Sequence, residues 1–209
     1  PQMLRGTVMR PSVGGGATWS GAAVDPDTGL LYVPSVNRHS TVLLTERNPG
    51  ELGNRRYIRR SLGAGSTSTS IGPVMPRGLP LWKPPYSRMT AIDMNLGNHI
   101  WMRPTGNGDR YRNHPMLRDL NLPPLGGDAG SSGPLLTKTL LIHALSAGGS
   151  DGGPRLAAYD KATGNELASL DLPSGALGSP MTYLLDGRQY LSVTVGGEIP
   201  GVLTFTVPD

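Results

Sequence analysis

Three copies of one short motif constrain this 209-residue chain more than any other feature. Ala23-Val24-Asp25-Pro26-Asp27-Thr28-Gly29, Ala91-Ile92-Asp93-Met94-Asn95-Leu96-Gly97 and Ala158-Tyr159-Asp160-Lys161-Ala162-Thr163-Gly164 share the pattern Ala-x-Asp-x-x-(Thr)-Gly, at offsets of 68 and 67 residues. Each reads as a strand running into a turn, because an Asp side chain accepts backbone N–H groups across the turn and Gly takes the left-handed position. Repetition at this spacing predicts blades of a β-propeller joined by long loops.

The rest of the chain agrees with an all-β reading. Sustained 3.6-residue periodicity is absent, and short β-type runs bounded by Gly, Pro, Asp and Asn recur. Strands are predicted at 30–33, 89–92, 135–142 and 156–159. A hairpin is predicted from 181–185, Asp186-Gly187 and 188–195, since Asp-Gly supplies the positive φ angles of a tight primed turn. The second motif copy continues to Trp101, four residues past its glycine, where a large ring can lie between neighbouring blades and staple them. The equivalent positions are Val33 in the first copy and Ala168 in the third. Looser packing, or another filler, is therefore expected beside Ala168. Two irregular excursions, about residues 37–85 and 105–133, are expected to lie outside the regular sheets.

Composition excludes several classes. The 30 Gly and 20 Pro make about a quarter of the chain, yet 37% hydrophobic residues in dispersed short runs argue for a turn-rich fold over disorder. With no Cys there is no disulfide framework and no cysteine-based metal or redox site. The longest apolar stretch, 134–147, is interrupted by Lys138 and His143 and falls short of the ~18 residues of a membrane helix. The net charge of +4 draws on a cluster of Arg47, Arg55, Arg56, Arg59 and Arg60. Two readings of that cluster stand, a nucleic-acid patch and a solvated surface insertion. With only Tyr57 nearby there is no base-stacking platform, which favours the second and argues against a nucleic-acid partner. The chain opens at Pro1 with neither an initiator Met nor a signal-type pattern, so a truncated or processed start is expected.

The motif ending in Trp101 is similar to the tryptophan-docking motif of the quinoprotein dehydrogenases, which use pyrroloquinoline quinone (PQQ). The neighbouring phrases strengthen the likeness. Gly14-Gly15-Gly16-Ala17-Thr18-Trp19-Ser20-Gly21, running into Asp25-Pro26, resembles that family's Gly-Gly-x-Asn-Trp segment. Lys83-Pro84-Pro85-Tyr86, Arg112-Asn113-His114-Pro115, Gly133-Pro134-Leu135-Leu136 and Ser179-Pro180-Met181-Thr182-Tyr183 match in the expected order. The branch most resembled is the membrane-bound glucose dehydrogenase type. The resemblance implies about three to four four-stranded blades of an eight-bladed propeller, with residues 1–209 as the C-terminal part and the remaining blades before Pro1. It implies a periplasmic oxidoreductase that oxidises an aldose or related alcohol and passes electrons to a membrane quinone. PQQ and Ca²⁺ would be its cofactors.

Carried over residue by residue, the resemblance assigns cofactor contact to Thr18 and Trp19, with Thr18 where the family has Asn. The alternative for Trp19 is packing between sheets. The catalytic base and the metal ligands are expected on earlier blades, so no catalytic or metal-ligating residue is assigned here and the chain alone is expected to be inactive. The four histidines, His39, His99, His114 and His143, do not fall at zinc-ligand spacing. His114 reads as a loop hydrogen-bonding residue, His143 as a core or rim histidine, and Gly148–Gly153 as a turn lacking the Lys-Ser/Thr of a phosphate loop. A non-catalytic propeller serving as a binding scaffold is the rival reading.

Overall fold

The computed structural model describes residues 7–17, 20–61, 77–129 and 132–206. Its strands in the first half are β1 (Thr7–Met9), β2 (Ala23–Asp25), β3 (Leu30–Val36), β4 (Ser40–Glu46), β5 (Tyr57–Ser61), β6 (Ser87–Asp93) and β7 (Asn98–Pro104). The second half adds β8 (Leu135–Leu136), β9 (Leu140–Leu145), β10 (Arg155–Asp160), β11 (Glu166–Asp171), β12 (Met181–Leu185), β13 (Arg188–Val195) and β14 (Gly201–Thr206). Helix among the described residues is limited to α1 (Asp109–Arg112) and one 3-10 turn at Arg118–Leu120. The chain divides into two compact units, a smaller one of Pro1–Gly16 with Asn37–Lys83 and a larger one of Ala17–Val36 with Pro84–Asp209.

The larger unit holds three antiparallel sheets, ordered β2-β3-β6-β7, β8-β9-β10-β11 and β12-β13-β14. The two central strands of the middle sheet, β9 and β10, are buried on both faces, which is why β9 reads Leu-Leu-Ile-His-Ala-Leu without polar alternation. Leu141 and Leu145 pack with Tyr32, Met89, Ala91, Ala157 and Tyr159 between the first and second sheets. Ile142 and Ala144 pack with Leu156, Leu172, Val193 and Val195 between the second and third. The predicted hairpin is β12–β13, with Asp186 at φ 49° and Gly187 at φ 78° in the turn. The predicted strand over 135–142 is two strands, parted where Leu140 N–H donates to Thr137 Oγ1 at 3.0 Å.

The three Asp-Gly motifs are strand ends and turns, as read from sequence. Asp160 Oδ1 accepts from the N–H groups of Ala162 (2.8 Å) and Thr163 (2.9 Å), and Asp93 Oδ1 accepts from Asn95 and Leu96. Their placement corrects the spacing argument. The first and second copies lie in one sheet, since Leu30 pairs with both Asp25 and Asp93. The 68-residue offset therefore spans an insertion between β3 and β6, inside a blade. Only the 67-residue offset runs between like positions of adjacent sheets, the β6–β7 and β10–β11 turns.

That insertion is also more regular than expected. It contributes β4 and β5, which join β1 in a three-stranded sheet of the smaller unit. Residues 62–76, with the run Ser66-Thr67-Ser68-Thr69-Ser70, lie outside the described residues. The excursion over 105–133 is irregular, as predicted, and is tied to the first sheet through Ser87. The Ser87 hydroxyl donates to the Thr105 carbonyl (3.1 Å) and accepts from Thr105 Oγ1 (2.6 Å) and Gly127 N–H (2.7 Å).

Trp101 docks as its position predicts. Its ring lies against Gly164 of the next sheet, where an added Cβ would sit 2.7 Å from the indole, and its Nε1–H donates to the Lys161 carbonyl at 3.1 Å. Arg103 Nε–H donates to the Thr163 carbonyl, and Lys161 Nζ reaches Asp25 Oδ2 at 2.6 Å. Ala168, by contrast, is exposed on β11. Trp101→Ala is expected to lower stability by about 3 kcal/mol. The exposed Met102→Ala on the same strand should change it by less than about 0.5 kcal/mol, and equal urea midpoints for the two variants would contradict docking as the stapling contact.

The Lys161 ammonium, more than any other cause, holds the Asp25 carboxyl below its ordinary value of 3.8. A depressed folded value means the stabilisation is present above that pH and is lost as pH falls through the lowered one. The urea midpoint of Asp25→Asn should therefore lie below that of the unaltered chain at about pH 6, with the gap narrowing as the pH falls below 3.8.

Candidate functional site

The starts of the first strands of the three larger-unit sheets come together at one end of the unit. Gly133, just before β8, leaves no room for a side chain: a Cβ there would collide with the Ser20 carbonyl before β2 and the Ser179 hydroxyl before β12. The meeting point is therefore built by backbone approach that a glycine permits. Thr18 and Trp19, the two residues assigned to cofactor contact, precede Ser20 in the chain and lie outside the described residues.

Beneath this point His143 is fully buried on β9, with Nε2 3.1 Å from the Ser132 carbonyl. A carbonyl only accepts, so Nε2 carries the proton; Nδ1 has no hydrogen-bond partner among the described residues. Burial pushes the imidazole down to about 4, so it is neutral at pH 7. The core-histidine reading holds for His143. His114 likewise serves its own loop, accepting at Nδ1 from Met116 N–H. Gly148–Gly153 forms the β9–β10 connection, closed by Gly149 N–H to Gly153 O at 2.9 Å.

A second polar group at this end was not legible in the sequence. Asp128, buried in the 105–133 excursion, accepts from Gly108 N–H at Oδ2 (2.8 Å), and its carbonyl accepts from Ser146 N–H and Oγ–H. Burial raises its carboxyl, partly offset by the Gly108 contact. Nearby Arg155, also buried, makes a two-pronged pair with Glu166, with Nη2 donating to Oε2 at 2.9 Å. Asp128 binds its own backbone surroundings, a fastening role that a lone Asp after Gly126-Gly127 does not advertise.

A scan of family models matches the glucose/ethanol/alcohol dehydrogenase β-propeller domain of PQQ enzymes to residues 1–191. The glycerol dehydrogenase large subunit of Gluconobacter oxydans (strain 621H) is 27% identical over 217 residues, covering 95% of this chain and 28% of that protein. The quinoprotein glucose dehydrogenase of Escherichia coli (strain K12) is 26% identical over 212 residues, covering 95% and 25%. Such close identities do not separate a glycerol from a glucose relative. The chain spans about a quarter of the length of these relatives. Among solved structures, the quinohemoprotein alcohol dehydrogenase of Comamonas testosteroni aligns with a TM-score of 0.59 at 22% identity, over 96% of this chain and 28% of that one, a likeness of fold.

Measured against a PQQ site with its divalent cation, the described residues do not suffice. At this end they offer serine hydroxyls, backbone groups, the neutral imidazole of His143 and the Asp128 carboxylate, which accepts from Gly108 N–H. Among the described residues no three His, Cys, Asp or Glu side chains gather to hold a metal ion.

The buried imidazole has a measurable signature. Between pH 6.5 and about 4 the unfolded chain binds a proton that folded His143 refuses, so stability falls as pH drops through that window, by roughly 3 kcal/mol from this group. His143→Gln, which keeps a donor for the Ser132 carbonyl, should remove that slope from the pH profile of the urea midpoint. An unchanged slope would show that the imidazole is not buried in its neutral form.

Proposed function

The chain belongs to the PQQ glucose/ethanol/alcohol dehydrogenase β-propeller family, and we propose that it is the C-terminal part of the catalytic propeller of a periplasmic oxidoreductase. In this reading the parent enzyme oxidises an aldose such as glucose, or a related alcohol, and passes the electrons to a membrane quinone. The observation that carries it is the convergence at Ser20, Gly133 and Ser179, directly after Thr18-Trp19 in the chain. First strands that start at one point form part of a funnel wall, and Thr18 and Trp19 would meet the cofactor there.

Bound PQQ supplies the redox chemistry by taking up the electrons of the substrate. The contribution of this chain is the wall. Its sheets hold the rim at a fixed spacing, the neutral His143 keeps charge out of the core beneath it, and Ser87 and Asp128 fasten the 105–133 excursion at the same end. The base and the Ca²⁺ ligands would come from blades outside residues 1–209. A scaffold without catalysis is the second reading, favoured by the exposed Ala168 in the docking position and by Thr18 in place of Asn.

Residues 1–209 expressed alone with PQQ and Ca²⁺ should reduce no artificial electron acceptor, while the complete parent protein does so with an aldose or alcohol. Turnover by residues 1–209 alone would contradict a site shared with other blades, and an inactive parent would favour the scaffold. In the active parent, Trp19→Ala should weaken PQQ binding about tenfold, the scale of one lost hydrogen bond with its packing. Unchanged affinity would make Trp19 a packing residue.

A further inference from the structure

The charge of this chain is divided unevenly between its two units. The smaller unit, Pro1–Gly16 with Asn37–Lys83, carries ten Lys and Arg against two Glu, a formal charge of +8. The larger unit has the other nine Lys and Arg against thirteen Asp and Glu, a charge of −4, and the two add to the +4 of the whole. Two carboxylates cannot neutralise ten cations, so the smaller unit carries a net positive charge whatever pairs form within it.

The β4–β5 hairpin adds an apolar element to that charge. Its ladder ends where Arg47 N–H donates to the Arg56 carbonyl at 2.9 Å. Beyond this point the loop folds on itself, with Asn48 N–H donating to Glu51 Oε2 at 2.8 Å and Glu51 N–H to the Asn48 carbonyl at 3.1 Å. The turn carries Leu52 outward, 99% exposed, between Gly50 and Gly53, with the exposed Arg55 and Arg56 following. A fully exposed leucine at the tip of a cationic hairpin gains nothing from water, and it has no role in the fold of its own unit.

Two classes of polyanion would suit the charge, and the apolar tip separates them. A single-stranded nucleic acid needs aromatic faces for its bases, and the one aromatic residue beside the cluster, Tyr57, has its ring covered by the Arg56 guanidinium at 5.3 Å. It would also leave Leu52 in solvent. A bilayer with anionic headgroups uses both features, because each arginine near its surface strengthens binding by about fivefold and an inserted leucine by roughly tenfold or more. We infer that the β4–β5 hairpin docks this protein on an anionic phospholipid surface, with Leu52 entering the acyl boundary and Arg55 at the phosphates, while Arg56 is held at 2.8 Å by Glu46. No helix among the described residues is long and apolar enough to cross a membrane. The inference stands on the charge and exposure of the smaller unit and is independent of the oxidoreductase reading.

The test is co-sedimentation of the 209-residue chain with phosphatidylcholine vesicles, plain or containing about one third phosphatidylglycerol. The chain should sediment with the anionic vesicles, remain in solution with the plain ones, and be released by about 0.5 M salt. Leu52→Ser should lower the partition coefficient about tenfold and Arg55→Glu by at least about fivefold. Both positions are exposed, and thermal midpoints equal to the unaltered chain would confirm that folding is intact. Equal sedimentation with both vesicle types would overturn the inference. So would duplex DNA binding as tight as vesicle binding, combined with indifference to Leu52→Ser, because a bare polyelectrolyte contact would then account for the charge.

Discussion

One turn holds the first two sheets of the larger unit together. Asp160 shapes the β10–β11 turn by accepting from Ala162 and Thr163, and this aims the carbonyls of Lys161 and Thr163 toward the neighbouring sheet. Those carbonyls receive Trp101 Nε1–H and Arg103 Nε–H, Gly164 receives the face of the indole, and the Lys161 ammonium reaches Asp25. Trp101 thus buries its ring without stranding its N–H donor, which would cost more than the hydrogen bond itself contributes. Asp25, almost wholly buried, likewise needs its cation. Removing any member leaves another group of the set without its partner.

The second interface works by different physics. With Ala168 in the docking position, the space between the second and third sheets is filled by aliphatic side chains and Phe205, with no indole and no ion pair among the described residues. A groove of about 400 Å³ remains open there, walled by Leu140, Ile142, Leu170, Leu191 and Phe205. Apolar packing of this kind is non-directional and scales with the area removed from water. It keeps the sheets together without setting their register as sharply as a docked ring does.

The two excursions show how a blade tolerates interruption. β3 and β6 pair in register from Leu30–Asp93 to Val36–Ser87 although Asn37–Tyr86 lie between them. The entropy of closing so long a loop grows only slowly with its length, and the insertion offsets part of it by folding as a unit with its own sheet. The shorter excursion has too few strands to do this. It depends instead on the hydroxyl of Ser87 and the carboxylate and carbonyl of Asp128, buried polar groups whose partners are all local backbone or side chain.

What the sequence determined by itself is local: the Asp-Gly turns, the Asp186-Gly187 hairpin, the all-β class, the docking role of Trp101 and the family phrases are set by short-range backbone chemistry and side-chain size. These are legible because a turn imposes its demands on four or five adjacent residues. Which turns share a sheet was decided only in three dimensions. Leu30 pairs with Asp25 and Asp93 alike, and nothing within either motif records that long-range pairing. The fastening by Asp128, the convergence on Gly133 and the gathering of ten cations into one unit belong to the same class. Each joins residues far apart in the chain, where proximity comes from packing apolar faces together and leaves no periodic trace in the sequence.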